Sequence, residues 1–358
     1  MIKNLNLVNF RNYTELNLNF SNRKIVFTGA NGQGKTNILE ALYFLSILRS
    51  FRTSSIKAIT KINTPGFYIK AEIENNTLQW SRKLEIEYSS RRILKIDGNT
   101  VYKASHFITN IKTVVFSPND IEIITSSSAV RRRFINIFIS NVIPEYLNAL
   151  SEYIEALKTR NLMLKSGASE NEFKVFEHIM AQQGAFIIEC RKKIFMQLSQ
   201  KMIETYNSIR NDIKSFQIKY MPDPAGASGI DPFLKKLEST RKKDKTKGYT
   251  PYGPHCDDFD IILNGKQLRQ FGSNGQCRLA AICLKMAAIS VLHSNKTENN
   301  NVIVLIDDVT GDLDEKTKKA FFKTIETTEQ TFFTFTEKPQ SDIFKNAEFF
   351  EVNNGSVT

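Results

Sequence analysis

Apolar residues fall at every second position near the start of the chain: Leu5 and Leu7, then Leu16, Leu18 and Phe20, on either side of a polar connection at Arg11-Asn12-Tyr13. That period turns one face of each run toward a core and predicts paired, half-buried strands. Lys24-Ile25-Val26-Phe27 reads as a short apolar strand, after which residues 38–45 change to helical spacing. Alternation returns at residues 67–73 and 84–88, with Asp97-Gly98-Asn99 as a hairpin turn. Near residue 120 the period changes again. Over residues 141–165 and 171–210 apolar positions such as Leu150, Tyr153, Ile154 and Leu157, or Ile188, Ile194, Leu198 and Ile203, have helical spacing. Two long helices joined at Ser166-Gly167-Ala168-Ser169 follow from this. Met221-Pro222-Asp223-Pro224-Ala225-Gly226 breaks the pattern, and residues 231–248 are basic and again helical in spacing. Val302-Ile303-Val304-Leu305-Ile306 is unbroken, as in a strand buried on both faces, and residues 332–335 and 349–352 are later strands. The pattern predicts an α/β fold whose main domain is split in sequence: residues 1–120 and 248–358 flank a helical insertion at 121–247.

The turn after the first apolar strand carries chemistry. Gly29-Ala30-Asn31-Gly32-Gln33-Gly34-Lys35-Thr36 fits G-x-x-x-x-G-K-[ST] between a strand and a helix, the setting of a P-loop. Its glycines let backbone N–H groups approach phosphate oxygens, and the helix N-terminus favours negative charge. Lys35 can reach the outer phosphates of ATP, and the Thr36 hydroxyl can serve Mg²⁺. Opposite such a lysine, an ATPase needs an apolar strand ending in carboxylates, which Val304-Leu305-Ile306-Asp307-Asp308 supplies. Asp307 is placed to hold Mg²⁺, directly or through water, and Asp308 to polarise the attacking water as general base. Ser273-Asn274-Gly275-Gln276-Cys277-Arg278 opens a further helix, with Ser273 as N-cap and Gly275 leaving room for a phosphate. Two anion sites in one chain are reconciled by a two-fold dimer in which each Ser273 loop meets the other subunit's γ-phosphate.

Charge extends this picture. The 358 residues hold 49 Lys+Arg against 37 Asp+Glu, a formal charge of +12, which suits a polyanion such as nucleic acid. An AT-rich genome would also raise lysine content without such a partner. Arg131, Arg132 and Arg133, or Arg241 with Lys242, Lys243, Lys245 and Lys247, are the candidate DNA contacts. No run approaches the ~18 apolar residues of a membrane span, so no membrane partner is expected. The opening MIKNLNLVNFRN reads as a strand rather than a secretory leader. Cys190, Cys256, Cys277 and Cys283 show no metal-ligand spacing, as expected of free thiols in the cytoplasm.

Taken in order, these stretches resemble the RecF family, bacterial recombinational-repair ATPases related to ABC and SMC ATPase heads. The resemblance runs through Asn9-Phe10-Arg11-Asn12-Tyr13, the P-loop, Arg49-Ser50-Phe51-Arg52-Thr53 and Phe116-Ser117-Pro118-Asn119-Asp120. It continues through Arg131-Arg132-Arg133-Phe134, Leu157-Lys158-Thr159-Arg160-Asn161, Gly253-Pro254-His255 with Asp257-Asp258, the Ser273 stretch and Asp307-Asp308-Val309. It implies an ABC-type ATPase head, an ATP-dependent homodimer and slow, DNA-stimulated hydrolysis. It also implies sequence-independent binding to gapped, duplex or junction DNA. With RecO- and RecR-type partners, such a protein helps load recombinase onto single strands in repair and replication restart. Within the resemblance Lys35 and Thr36 serve triphosphate and Mg²⁺, Ser273 acts in the signature motif, and Arg11 and Asn12 lie near the nucleotide. Asp120 falls at a Q-loop position without a definite role.

Three positions depart from the family pattern. Cys256 stands where Arg is usual, Gly311 replaces a commoner Ser in the stretch after Asp308, and no histidine follows that acid. Thr334 or Thr336 could substitute for the missing histidine. Other classes sharing parts of this pattern are a membrane-transport ATPase subunit, a nucleotide-responsive DNA-binding module without significant hydrolysis, and a RecF-like ATPase of phage defence. The absent histidine and the helical insertion argue against the transporter.

Overall fold

A computed structural model describes residues 1–75, 79–210, 215–223, 229–295, 301–309 and 313–358. Gly311, and Pro224 to Gly226 of the predicted break, lie outside the described residues. The chain forms two compact units, one of residues 1–120 with 288–358 and the other of residues 121–287.

The first unit holds two six-stranded sheets. The strands of one run in the order Ser356–Val357, Glu348–Asn353, Lys24–Thr28, Gln330–Phe335, Asn301–Asp307 and Ile111–Phe116, parallel except for the terminal hairpin. A central parallel strand covered on both faces must be apolar throughout. Ile25, Val26, Phe27, Val302, Ile303, Val304 and Leu305 are accordingly fully buried. Phe20, Phe27, Phe332 and Phe350 meet at ring centroid separations of 5.1–6.5 Å. The P-loop helix, Lys35–Ile47, is apolar on nearly every side and buries Ile38, Leu39, Ala41, Leu42 and Leu45. A helix of that kind belongs at the centre of a unit.

The second sheet is antiparallel, in the order Tyr13–Asn19, Ile2–Phe10, Phe67–Asn75, Trp80–Tyr88, Arg92–Ile96 and Asn99–Thr100. Its alternating Leu5, Leu7, Leu16 and Leu18 are buried, with Glu15 and Asn17 turned outward.

In the second unit Pro144–Ser166 and Glu170–Ile209 form the expected helical hairpin. Proline opens the first helix, where its missing N–H costs nothing, and Gly167 closes it in the left-handed region. Ser169 and Glu172 cap the second helix reciprocally. The helices Ser128–Val142 and Ile230–Lys247 join this hairpin in the same unit. A three-stranded sheet, Lys266–Gln267, Asp258–Leu263 and Phe216–Met221, carries the unit past residue 247. Its central strand pairs with one that precedes residue 247, so the chain beyond 247 cannot leave the unit there.

The helix Asn274–Ser294 is long and apolar enough to cross a membrane, contrary to the reading that no stretch comes close. Most of it is buried inside the protein, as in the core helix of a globular unit.

Candidate functional site

Sterics shape the P-loop. Gly29, Gly32 and Gly34 have positive φ values of 142°, 81° and 118°. At Gly29 a Cβ would stand 2.3 Å from the Val352 carbonyl oxygen, and at Gly34 it would stand 2.6 Å from Asn12 Nδ2. Neither position admits a side chain. Ala30, Asn31 and Gly32 are exposed at the tip. The loop is braced from outside: Asn12 Nδ2 donates to the Gln33 carbonyl at 3.1 Å, and Tyr13 Oη to that of Gly34 at 3.1 Å. The Asn354 N–H donates to Gln33 Oε1 at 2.6 Å, and the Gly355 N–H to the Gln33 carbonyl at 3.3 Å.

Lys35 is 8% exposed, and its Nζ donates to the Gly29 and Ala30 carbonyls at 2.5 and 2.8 Å. Burial pushes this ammonium below the usual lysine range, while Asp308 and Asp307 oppose the shift. The Thr36 hydroxyl donates to Asp307 Oδ1 at 2.8 Å. Thr334, at the end of the neighbouring parallel strand, donates to the same oxygen at 2.9 Å. Burial raises the Asp307 carboxyl above the usual range, and the two hydroxyls hold it down. A hydroxyl and a carboxylate are hard oxygen donors. Mg²⁺ characteristically takes one or two carboxylates and completes its shell from phosphates and water, so Thr36 and Asp307 fit it. No cluster of three or more His, Cys, Asp or Glu able to hold a metal occurs among the described residues. Asp308 is exposed at φ 51°, a left-handed conformation that Asp tolerates better than most residues and that recurs at functional sites.

Arg11, which the resemblance sets near the nucleotide, is bound to the P-loop helix. Its Nε and one terminal nitrogen donate to the two oxygens of Glu40 at 2.8 and 2.6 Å, and the other donates to the Ala58 carbonyl at 2.6 Å. Glu40 is fully buried on the P-loop helix and also accepts from Ser50 and, at 3.5 Å, from Arg52. Arg52 in turn donates to Asn37 Oδ1 at 2.8 Å, and Asn37 donates to Asn12 Oδ1 at 2.8 Å. Arg11 and Asn12 therefore brace the P-loop and its helix. Sequence reasoning missed Glu40, although a single carboxylate inside Ile38-Leu39-Glu40-Ala41-Leu42 was the available signal, because a buried charge needs partners.

The signature stretch lies in the second unit. Ser273 caps its helix as expected: the Gln276 N–H donates to Ser273 Oγ at 3.3 Å, and the Ser273 N–H to Gln276 Oε1 at 2.9 Å. The Gln276 side chain is thus occupied in shaping the turn. Ser273, Asn274, Gly275 and Gln276 are all exposed, and a Cβ on Gly275 would meet nothing within 4 Å.

Several arginines proposed for DNA have internal work instead. Arg131 is 2% exposed and forks onto Asp258 at 2.6 and 2.9 Å, while Arg132 donates to the Asp257 carbonyl at 2.9 Å. Arg241 is buried against Glu177 and Glu170. Two further family-like stretches, 157–161 and 253–258, meet in the same interior. Arg160 donates to Glu177 at 2.9 Å and to the Thr250 hydroxyl at 2.6 Å. Arg191 reaches Asp257 at 2.5 Å and the Pro254 carbonyl at 2.7 Å. His255 lies between the Tyr153 hydroxyl at 2.8 Å and the Thr250 carbonyl at 3.0 Å. Cys256 is half-buried, and that burial pushes its thiol up.

A parallel sheet carrying a P-loop, an acidic strand end beside it and a helical unit that interrupts it in sequence are the parts of an ABC-type ATPase head. Residues 1–354 match the RecF/RecN/SMC N-terminal domain family. The DNA replication and repair protein RecF of Clostridium kluyveri is 34% identical over 363 residues, covering 100% of this chain and 99% of that protein. RecF of Leptospira interrogans is 34% identical over 341 residues, covering 94% and 92%. The solved structure of the recombination mediator protein RecF-ATP in the RecFOR pathway superposes with a TM-score of 0.90 at 30% identity, covering 100% of this chain and 96% of that one. The chain belongs to the RecF family.

Proposed function

We propose that this chain is an ATP-dependent DNA-binding protein of recombinational repair and replication restart, in which ATP bridges two copies and DNA is bound by the closed dimer. The observation that carries the reading is the conjunction at the P-loop: the Lys35 ammonium at the loop carbonyls and the Thr36 hydroxyl on Asp307 at 2.8 Å. Relatives called DNA replication and repair protein RecF, and a RecF-ATP structure described within the RecFOR pathway, support it. RecO- and RecR-type proteins are the corresponding partners, and the cytoplasm the corresponding compartment.

In this reading Lys35 exchanges its two carbonyl partners for phosphate oxygens of the triphosphate. Thr36 and Asp307 hold Mg²⁺, whose charge offsets that of the phosphates. Asp308 orients the water for slow hydrolysis, which DNA stimulates. The exposed Ser273 turn offers its hydroxyl and first-turn N–H groups to the γ-phosphate held by a second copy. ADP lacks that phosphate, so hydrolysis removes the preference for the closed state.

For DNA the reading selects the helix Ile230–Lys247. With Arg241 turned inward, Lys235, Lys236, Lys242, Lys243, Lys245 and Lys247 remain exposed on it. Flexible ammonium groups along one helix suit a phosphate backbone and carry no base preference.

Sedimentation with ATP or ADP tests the bridging. Wild type should dimerise with ATP and Mg²⁺ only, Lys35→Ala should lose ATP binding, and Ser273→Ala should bind ATP yet remain monomeric. A wild type that stays monomeric in saturating ATP and Mg²⁺ at micromolar protein refutes it.

A further inference from the structure

We infer that Thr334 is a positioning residue for the metal carboxylate, holding Asp307 so that one of its oxygens stays free for Mg²⁺. The inference rests on the magnesium role proposed above for Asp307.

Thr334 lies within the run Thr331-Phe332-Phe333-Thr334-Phe335, on a strand between the P-loop strand and the Asp307 strand. It is 1% exposed. A buried hydroxyl is costly unless it is hydrogen-bonded. Here its proton goes to Asp307 Oδ1 at 2.9 Å, and the two residues face each other directly in the parallel register.

Thr36 donates to the same Oδ1. Both hydroxyls therefore gather on one oxygen, and Oδ2 has no hydrogen bond among the described residues. The terminal torsion of an aspartate is soft, so two donors on one oxygen are what fix the carboxylate's rotation. Thr36 also has the metal to serve, whereas Thr334 makes no other side-chain hydrogen bond among the described residues. It is thus the donor dedicated to Asp307. This use of the hydroxyl also differs from the sequence expectation, in which Thr334 or Thr336 could substitute for the missing histidine. Thr336 is exposed just beyond the strand and keeps that possibility.

Partners of metal ligands typically tune metal affinity by 10–100-fold. The experiment is equilibrium binding of a fluorescent ATP analogue, first in EDTA and then across a Mg²⁺ titration, for wild type, Thr334→Val, Thr334→Ala and Thr334→Ser, with Asp307→Asn as reference. Thermal melts establish that each variant is folded. The expected result is that Val and Ala raise the half-saturating Mg²⁺ concentration by about 10-fold or more. Ser, which keeps the hydroxyl, should titrate close to wild type, and affinity in EDTA should be unchanged throughout. The Ser and Ala pair isolates the hydroxyl should Val disturb the fold. A Val variant with the wild-type titration, a Ser variant as impaired as Ala, or an equal loss in EDTA overturns the role of Thr334 while leaving the proposed function intact. Nucleotide binding indifferent to Mg²⁺ in wild type, or a titration unchanged by Asp307→Asn, removes the magnesium role of Asp307 and that of Thr334 with it.

Discussion

Replacing Glu40 by Gln tests whether the P-loop helix is anchored through a buried ion cluster. The carboxylate is fully buried and takes two donors from Arg11, one from Ser50 and a longer one from Arg52. Glutamine keeps the shape but points an NH₂ group at an arginine N–H, so one of the two Arg11 bonds becomes a donor facing a donor. Breaking a buried pair from one side costs about 3–5 kcal/mol. The Arg11 and Arg52 side chains are 19% and 44% exposed and can recover some hydration, which places the cost near the lower limit, about 3 kcal/mol. For a unit of this size, each kcal/mol lowers the melting temperature by about 2–4 °C, so a fall of about 6–12 °C is expected. The assay is a double-mutant cycle of melts on wild type, Glu40→Gln, Arg11→Met and the double variant, with nucleotide affinity measured on each. The double variant should be less destabilised than the summed singles by more than about 1 kcal/mol, because the two groups share one interaction. Additive losses refute the cluster. So does an Arg11→Met protein that melts like wild type but binds nucleotide poorly, since Arg11 would then be a nucleotide contact.

Two further outcomes follow from the second unit. Changing Lys235, Lys242, Lys243 and Lys247 together to Gln should lower the log–log salt slope of duplex DNA binding by up to about 3–4, at ~0.9 per lost phosphate contact, and an unchanged slope would place DNA elsewhere. Burial depresses the pKa of His255, with the Thr250 carbonyl opposing, so the unfolded chain takes up a proton there more readily than the folded one. Stability of the second unit should therefore fall as pH drops below about 6.5, with a slope of at most about 1.4 kcal/mol per pH unit. Denaturant titrations between neutral and mildly acidic pH should show that slope flattened in His255→Gln, and the same slope in the variant would rule out His255 as its source.

What could be read from residue order divides along physical lines. The strands, the helical hairpin, the P-loop, the acidic strand end and the Ser273 cap depend on period, spacing and local turn chemistry, all of which lie within a few neighbouring residues. The tasks of Arg11, Arg131 and Arg241 depend on partners 29, 127 and 64 positions away, which no local pattern discloses. Charge was the misleading signal: Arg131 and Arg241 look like surface cations in sequence, yet both are buried, Arg131 forked onto the half-buried Asp258 and Arg241 onto the buried Glu177. The same distance hid the Phe216–Met221 and Asp258–Leu263 pairing, which spans residue 247, the end the sequence predicts for the insertion. In the sequence Thr334 is only a possible substitute for the missing histidine, and its place beside Asp307 comes from the strand register.

The placement of the Lys24–Thr28 strand has a consequence for biosynthesis. Both of its neighbours, Gln330–Phe335 and Glu348–Asn353, are translated after the whole insertion. At ~5–20 residues per second, the roughly 300 intervening residues keep a ribosome busy for about 15–60 s. Throughout that interval the emerging P-loop has no sheet to stand on, whereas the antiparallel lobe and the insertion each draw on contiguous stretches and can form early. Nucleotide capture thus becomes one of the last competences the nascent polypeptide acquires, and a ribosome that stalls inside the insertion releases a product unable to compete for cellular ATP.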